Sequence, residues 1–268
     1  MDAALNDRRL ARVAAAGVAF TVVVVAASAL LRLGTTLDAG GNAASTLAPA
    51  LESVARIAHR VSASAVGLLA IAAIVLALRD RPVPCGRRAG LVAIVVFTAV
   101  LAAIGRYTPG YRFTGVTVAN AVLGVALAAA FAWLRLQSAD RGARLPRARL
   151  LVLAAVLAEI ALGTAASAAA MHGRLAFEPL HVALGPAVAA LAAWAALGQR
   201  GGIAALAIAQ MALGIALAAM GASRALPGQW LHAMLACALV LALAGARSRN
   251  RTRPQAAGEM RKIRESGA

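Results

Sequence analysis

Cysteine, histidine and acidic side chains are all scarce in this chain, and each scarcity excludes something. The two cysteines, Cys85 and Cys237, fall in a basic stretch between apolar runs and inside the last such run. A disulfide needs Cα atoms within about 7 Å of each other, and a membrane topology holds these two apart. No disulfide is expected. Alternation of polar and apolar residues, which the strands of a membrane barrel require, is absent, so a β-barrel is excluded. Acidic residues number 10 against 27 basic ones, for a net charge of +17. Such an imbalance raises the question of nucleic-acid binding, and the distribution of the charge answers it.

What the chain has in abundance is apolar length. Hydrophobic residues make up 62% of it and the mean hydropathy is +0.79. A helix needs roughly 20 apolar residues to cross a bilayer. Eight segments approach that length, at about 13–31, 57–78, 89–105, 116–134, 150–170, 179–198, 202–221 and 230–246. The expected fold class is therefore all-α, a polytopic membrane protein of eight transmembrane helices in the lipid bilayer. The first segment is flanked by arginines and followed by small residues such as Ala43, Ala44 and Ser45, in the manner of a signal peptide. Its apolar run is long enough to span, so an uncleaved helix is expected.

Placing the N-terminus in the cytoplasm puts Arg8, Arg9 and Arg12 there. The same side receives Arg79, Arg81, Arg87 and Arg88, the arginines from Arg135 to Arg149, Arg200, and the tail from Arg247 onward. Most of the basic residues thus share one face, as the positive-inside rule demands. The expected location is the cell inner (plasma) membrane with both termini cytoplasmic. The tail reads as a solvated topology determinant, and no nucleic-acid partner is expected. A polar stretch with Pro146 divides the chain. Residues 1–137 form an N-terminal four-helix half, 138–149 a cytoplasmic linker, 150–247 a C-terminal four-helix half and 248–268 the basic tail. Two pseudo-symmetric four-helix bundles are expected.

Internal repetition supports that division. Glu159-Ile160-Ala161-Leu162-Gly163 leads to Leu180-His181, and Gln210-Met211-Ala212-Leu213-Gly214 leads to Leu231-His232, both anchors shifting by the same 51 residues. Asn120-Ala121-Val122-Leu123-Gly124 parallels His181-Val182-Ala183-Leu184-Gly185. The even-numbered segments therefore carry His59, Asn120, His181 and His232 within the first turn or two, at one depth near the outer face. Two histidines at one level on neighbouring helices can approach one iron from opposite sides. Imidazole suits iron, and a heme held by two imidazoles has no open position and transfers electrons. The other reading of His181 and His232 is a pair of polar residues hydrogen-bonded across the bundle.

His59 stands beside Arg56 and Arg60, which can meet heme carboxylates, whereas Asn120 is a poor iron ligand. A heme at His59 would be five-coordinate or would need another ligand. Glu159, deep in an apolar run, is expected to be protonated or hydrogen-bonded, and its repeat partner Gln210 points to a hydrogen-bonding role. Glu178 and Gln229 precede the two histidines by three residues, and either orient the imidazoles or cap their helices. His172 falls outside the repeat and reads as solvated. The longest outer loop, about Arg32 to Arg56, is a candidate lid or substrate contact, with a short helix expected over Thr46–Ser53. Arg106, Tyr107, Tyr111 and Arg112 read as interfacial anchors or as ligand contacts.

These residues resemble the heme A synthase family over about residues 10–246. Leu31-Arg32-Leu33-Gly34-Thr35-Thr36-Leu37 looks like that family's segment leaving the first helix, and His59-Arg60 with Gly67 is similar to its histidine–arginine motif. His181 and His232 match the pair that binds a heme b in the family's C-terminal half. The resemblance implies oxidation of the heme O methyl group to the formyl of heme A for cytochrome oxidase assembly, with heme O as substrate in the N-terminal half and heme b as cofactor. It also implies His59 and Glu52 as the catalytic candidates, Arg60 and Asn120 as further heme contacts, and His59, His181 and His232 as iron ligands. Heme O synthase, cytochrome oxidase assembly proteins and a second copy of the chain are the implied partners. The sequence departs from the family at three places. Arg56 stands where the family has a glutamate, Asn120 replaces a histidine, and the outer-loop cysteine pair is missing; Glu52 is the nearest carboxylate. A noncatalytic relative that binds heme b for electron transfer or heme handling is the alternative, and a transporter or other bundle without heme is the third reading.

Overall fold

The computed structural model describes residues 3–37, 43–79, 82–107, 114–141, 143–171, 177–196, 202–219 and 226–246. Eight helices appear among them: α1 (Ala3–Leu33), α2 (Pro49–Leu78), α3 (Cys85–Gly105), α4 (Thr114–Ala139), α5 (Arg147–Met171), α6 (Glu178–Ala195), α7 (Gly202–Ala219) and α8 (Leu226–Gly245). Seven are long and apolar enough to cross a membrane. The exception is α6, where Glu178, Pro179, His181 and Pro186 dilute the apolar run of a helix only 18 residues long. His172 and the tail 248–268 lie outside the described residues.

The largest departure from the sequence reading is in the first long connection. Thr46–Ser53 does not form a separate short helix. Residues Thr35–Leu37 (β1) and Ala43–Ser45 (β2) pair antiparallel, with Thr35 opposite Ser45. Thr46 extends the ladder by donating its backbone N–H to Gly34 O at 2.7 Å. The chain then turns at Ala48, and Pro49 opens α2 directly. Proline suits that place because its fixed φ is helical and its missing N–H would have no intrahelical partner. The second span thus begins well before residue 57. His59 accordingly lies about 15 Å along α2, deeper than one or two turns.

Neighbouring helices close two rings. Helix α1 packs on α2 and α4, and α3 packs on the same two. In the second ring α6 packs on α5 and α7, and α8 packs on α7 and α5. Within each ring the diagonal members are therefore α2 with α4, and α6 with α8. The rings meet where α4 packs on α5 and α8, and where α1 packs on α8. Helix α4 serves both cores. Leu127, Phe131 and Leu134 join Leu10, Ala14, Ala73 and Ile94 in one. Val125, Ala129 and Ala132 join Val156, Ala207, Leu239 and Val240 in the other. Apolar residues on two faces of one helix bury it on both sides, which is why α4 is the most enclosed of the spans.

Polar side chains tie the helix ends at the pole opposite the hairpin. Asn6 donates to Leu76 O at 3.0 Å, Trp133 to Gly86 O at 3.1 Å and Gln137 to Ala143 O at 2.6 Å. Arg87, 0% exposed, meets Asp7 at 2.5 Å, and Arg141 meets the other Asp7 oxygen at 2.9 Å. A buried guanidinium requires such a partner, since an unpaired charge there would cost several kcal/mol. Arg149 donates to Ala246 O at 2.5 Å and closes the same end of the second ring. At the hairpin pole, Arg32 of α1 donates to Ser167 of α5, and Trp230 of α8 donates to Ala26 O of α1 at 3.0 Å.

Candidate functional site

A cavity of about 1070 Å³ runs between the rings, and all eight helices contribute to its lining. That is at the upper end of the roughly 300–1,000 Å³ usual for small-molecule and cofactor sites. His59, Asn120, His181 and His232 all line it. These four residues of the even-numbered helices therefore share one chamber.

The C-terminal half brings its pair together. The rings of His181 and His232 have centroids 6.2 Å apart and planes inclined at 77°. Each imidazole is met by the repeat residue of the preceding helix. Glu159 Oε1 lies 2.6 Å from His181 Nδ1, a close contact whose angle falls outside hydrogen-bond geometry. Gln210 Nε2 lies 3.1 Å from His232 Nε2. The hydrogen-bonding role read for Gln210 thus has a partner, and Glu159 stands against the other histidine.

Glycine makes room for both rings. A Cβ added at Gly163 would lie 2.7 Å from His181 Cε1, and one added at Gly214 would lie 3.0 Å from His232 Cε1. A side chain at 163 would force the His181 ring to shift, and one at 214 would require the His232 ring to give by a few tenths of an ångström. Gly185, one turn beyond His181, would bring a Cβ within 3.3 Å of Glu159 Oε1. The small residues of the repeat motif are thus part of the site, and the two glycines four residues after Glu159 and Gln210 are the signal that could have identified them.

Several buried polar atoms here have no hydrogen-bond partner: Glu159 Oε1, His181 Nδ1, Gln210 Oε1 and His232 Nδ1. Clustered orphans are costly in an apolar interior and call for a ligand or for a different proton arrangement. Turning the Gln210 amide over would let its Oε1 accept from the His232 Nε2–H, an assignment that hydrogen positions decide. His232 Nδ1 then carries a free lone pair. His181, with Nδ1 toward the carboxylate, keeps Nε2. Both rings in that arrangement hold one nitrogen against a neighbouring side chain and have one in reserve, the pattern of histidines that bind a metal and are oriented from behind. No group of three or more His, Cys, Asp or Glu side chains that could hold a metal is present among the described residues. A two-histidine set suits a metal that brings its other ligands with it, as a macrocycle does.

The N-terminal half is built differently. His59 Nδ1 is 3.4 Å from Val24 O, a long contact to the backbone of α1. Thr98 lines the cavity from α3, and its buried hydroxyl has no hydrogen-bond partner. Thr98 precedes Asn120 by the same 22 residues that separate Gln210 from His232 and Glu159 from His181. The sequence reading missed this third polar rung because threonine is unremarkable in an apolar helix.

The remaining candidates are placed as follows. Glu52 accepts from Arg56 Nε at 2.8 Å on the surface of α2, and neither residue is among those lining the cavity. Arg60 is exposed and is also absent from the lining. Arg32, Glu178 and Gln229 do line it. Glu178 is the first residue of α6, whose cap position is Phe177 and lacks a side-chain cap bond. Tyr107 stacks under the Arg106 guanidinium at 5.1 Å, away from the cavity. No protein-family model matches the chain and no curated protein matches it.

Proposed function

We propose that this chain is a membrane heme protein of the heme A synthase type, with two pseudo-symmetric four-helix halves and both termini on the cytoplasmic side. His181 and His232 hold a heme b between α6 and α8. The observation that carries this reading is the spacing of the two rings. Two imidazoles on one metal, each bonded at about 2.0–2.1 Å, have centroids about 6 Å apart, and these two stand at 6.2 Å. The residues also fit in other respects. The chamber is large, glycines leave the rings free to lie flat, and Glu159 and Gln210 stand behind the imidazoles. A heme held by these two histidines would supply electron transfer.

At the finer level the chain acts as an oxidoreductase that takes the heme O methyl group to the formyl of heme A for cytochrome oxidase assembly. Substrate heme lies in the N-terminal half, at His59. The shared cavity supports this reading, because a substrate at His59 and a heme at His181 and His232 would occupy one apolar chamber. Arg32, at the hairpin pole, supplies a cation to the lining there. The second reading, a noncatalytic heme b protein for electron transfer or heme handling, has its own support. Glu52, the carboxylate nearest His59 in sequence, is paired with Arg56 and does not line the cavity.

Absorbance of the purified, reduced protein tests the heme reading. Paired α and β bands are expected, with their loss in His181→Ala and in His232→Ala. Expression with ample heme that yields a colourless protein would sink both readings. Extraction of heme A from cells co-expressing a heme O source separates them, since the noncatalytic protein yields none.

A further inference from the structure

Three polar rungs with one spacing cross the cavity between an odd helix and the even helix that follows it. Two of them, Glu159 with His181 and Gln210 with His232, place an imidazole at the even position. Thr98 and Asn120 share that 22-residue spacing, and both line the cavity, one with a hydroxyl and one with a neutral amide. Helices α2 and α4 are diagonal in the first ring as α6 and α8 are in the second. His59 on α2 and Asn120 on α4 thus stand on diagonal helices, as His181 and His232 do, and both line the cavity.

An uncharged amide is a poor ligand for iron and a good hydrogen-bonding group. The Thr98 hydroxyl is buried, lines the cavity and has no hydrogen-bond partner. An unmade hydrogen bond in such a place is costly, so the Thr98 hydroxyl is poised for a partner that enters the cavity. Resting on the heme reading above, we propose that the Thr98–Asn120 pair is an open, hydrogen-bonding site for a small neutral diatomic ligand, beside a heme held by the single imidazole of His59. The two halves then divide the labour. The C-terminal site, with two histidines, would hold a heme for electron transfer, while the N-terminal site, with one, would leave its heme able to take a further ligand. Distal polarity and access decide which small ligands such a position takes. Thr98 and Asn120 offer one hydroxyl and one amide, and no charge.

Carbon monoxide is the probe. Full-length protein in detergent is loaded with hemin, reduced with dithionite and titrated with carbon monoxide. The expected result is about two hemes per chain, one of which shifts its Soret band with carbon monoxide. His59→Ala removes the responsive component and keeps the paired bands of the other heme. Asn120→His supplies the missing imidazole, so it abolishes the response without loss of heme; a gain of ligation cannot be mistaken for misfolding. Thr98→Val keeps the response and weakens carbon monoxide affinity about 3–10-fold, as the loss of one hydrogen bond requires. Protein with intact bis-histidine bands that ignores carbon monoxide overturns this inference and leaves the heme reading standing. A response that persists in His59→Ala also overturns it. Protein that takes up no heme overturns both.

Discussion

Glu159 Oε1 stands 2.6 Å from His181 Nδ1, and one repeat later Gln210 Nε2 stands 3.1 Å from the other ring nitrogen, Nε2, of His232. A carboxylate and an amide of equal length thus back two histidines that face each other. Residues behind metal-binding histidines typically contribute 10–100-fold to metal affinity. Glu159→Gln, which copies the Gln210 rung, is expected to keep the heme and its paired bands. Glu159→Ala is expected to lower heme affinity about 10–100-fold, read by competition with a heme-scavenging apoprotein. Equal affinities in the wild type and the alanine variant would remove Glu159 from the site.

Glycine at 163 is required by the His181 ring, and at 214 it spares the His232 ring a tight contact. Elsewhere in a helix, replacing glycine by alanine gains roughly 1 kcal/mol of helix propensity. At Gly67 of α2 an added Cβ meets nothing within 4 Å. Gly67→Ala should therefore leave the spectrum unchanged and hold or raise the melting temperature. Gly163→Ala and Gly214→Ala should displace the imidazoles and erase the paired bands while the helices remain intact by circular dichroism. Normal bands in both variants would contradict the placement of the rings.

The ion pairs at the far pole differ in worth because they differ in burial. Arg87 is fully buried against Asp7, whereas Arg141 is 47% exposed on the other Asp7 oxygen. Removing one member of a buried pair costs about 3–5 kcal/mol, and an exposed pair contributes about 0–1. Asp7→Ala is expected to lower the unfolding midpoint in detergent strongly, and Arg141→Ala hardly at all. Comparable losses in the two variants would mean that Arg87 finds its stabilisation elsewhere.

Orientation in the membrane can be read with thiol reagents. Cys85 is exposed at the start of α3, beside Arg87, and Cys237 is buried in α8. An impermeant maleimide applied to intact cells should spare Cys85 and label it after permeabilisation. In a Cys85→Ser background, Thr46→Cys at the hairpin pole should be labelled without permeabilisation. The reverse pattern would invert the proposed topology.

Much of this was legible in the sequence, and the parts that were not share a cause. Apolar length marked the positions of the eight helices, seven of which are long and apolar enough to cross a membrane, because the cost of exposing backbone to lipid leaves few alternatives to a long helix. The repeat marked His181 and His232, together with the residues that prove to stand beside them. Missed was the hairpin of Thr35–Leu37 with Ala43–Ser45, where strands of three residues have too few positions to show a period. The start of α2 at Pro49 was missed as well, since Glu52, Arg56 and Arg60 mask a helix that continues beyond the apolar run. Glu52 and Arg60 were chosen by order along the chain, and adjacency to His59 does not decide which way a side chain leaves its helix.

Sequence alone determined the spans, the face on which the arginines gather and the spacing of the polar rungs, since hydropathy, charge and period belong to the chain itself. Tertiary structure decided which of those residues meet. Packing α4 into both cores brought His59, Asn120, His181 and His232 around one cavity, and packing α5 on α6 set Glu159 against His181. Helix rotation and ring closure are settled by contacts between distant segments, which no local pattern encodes.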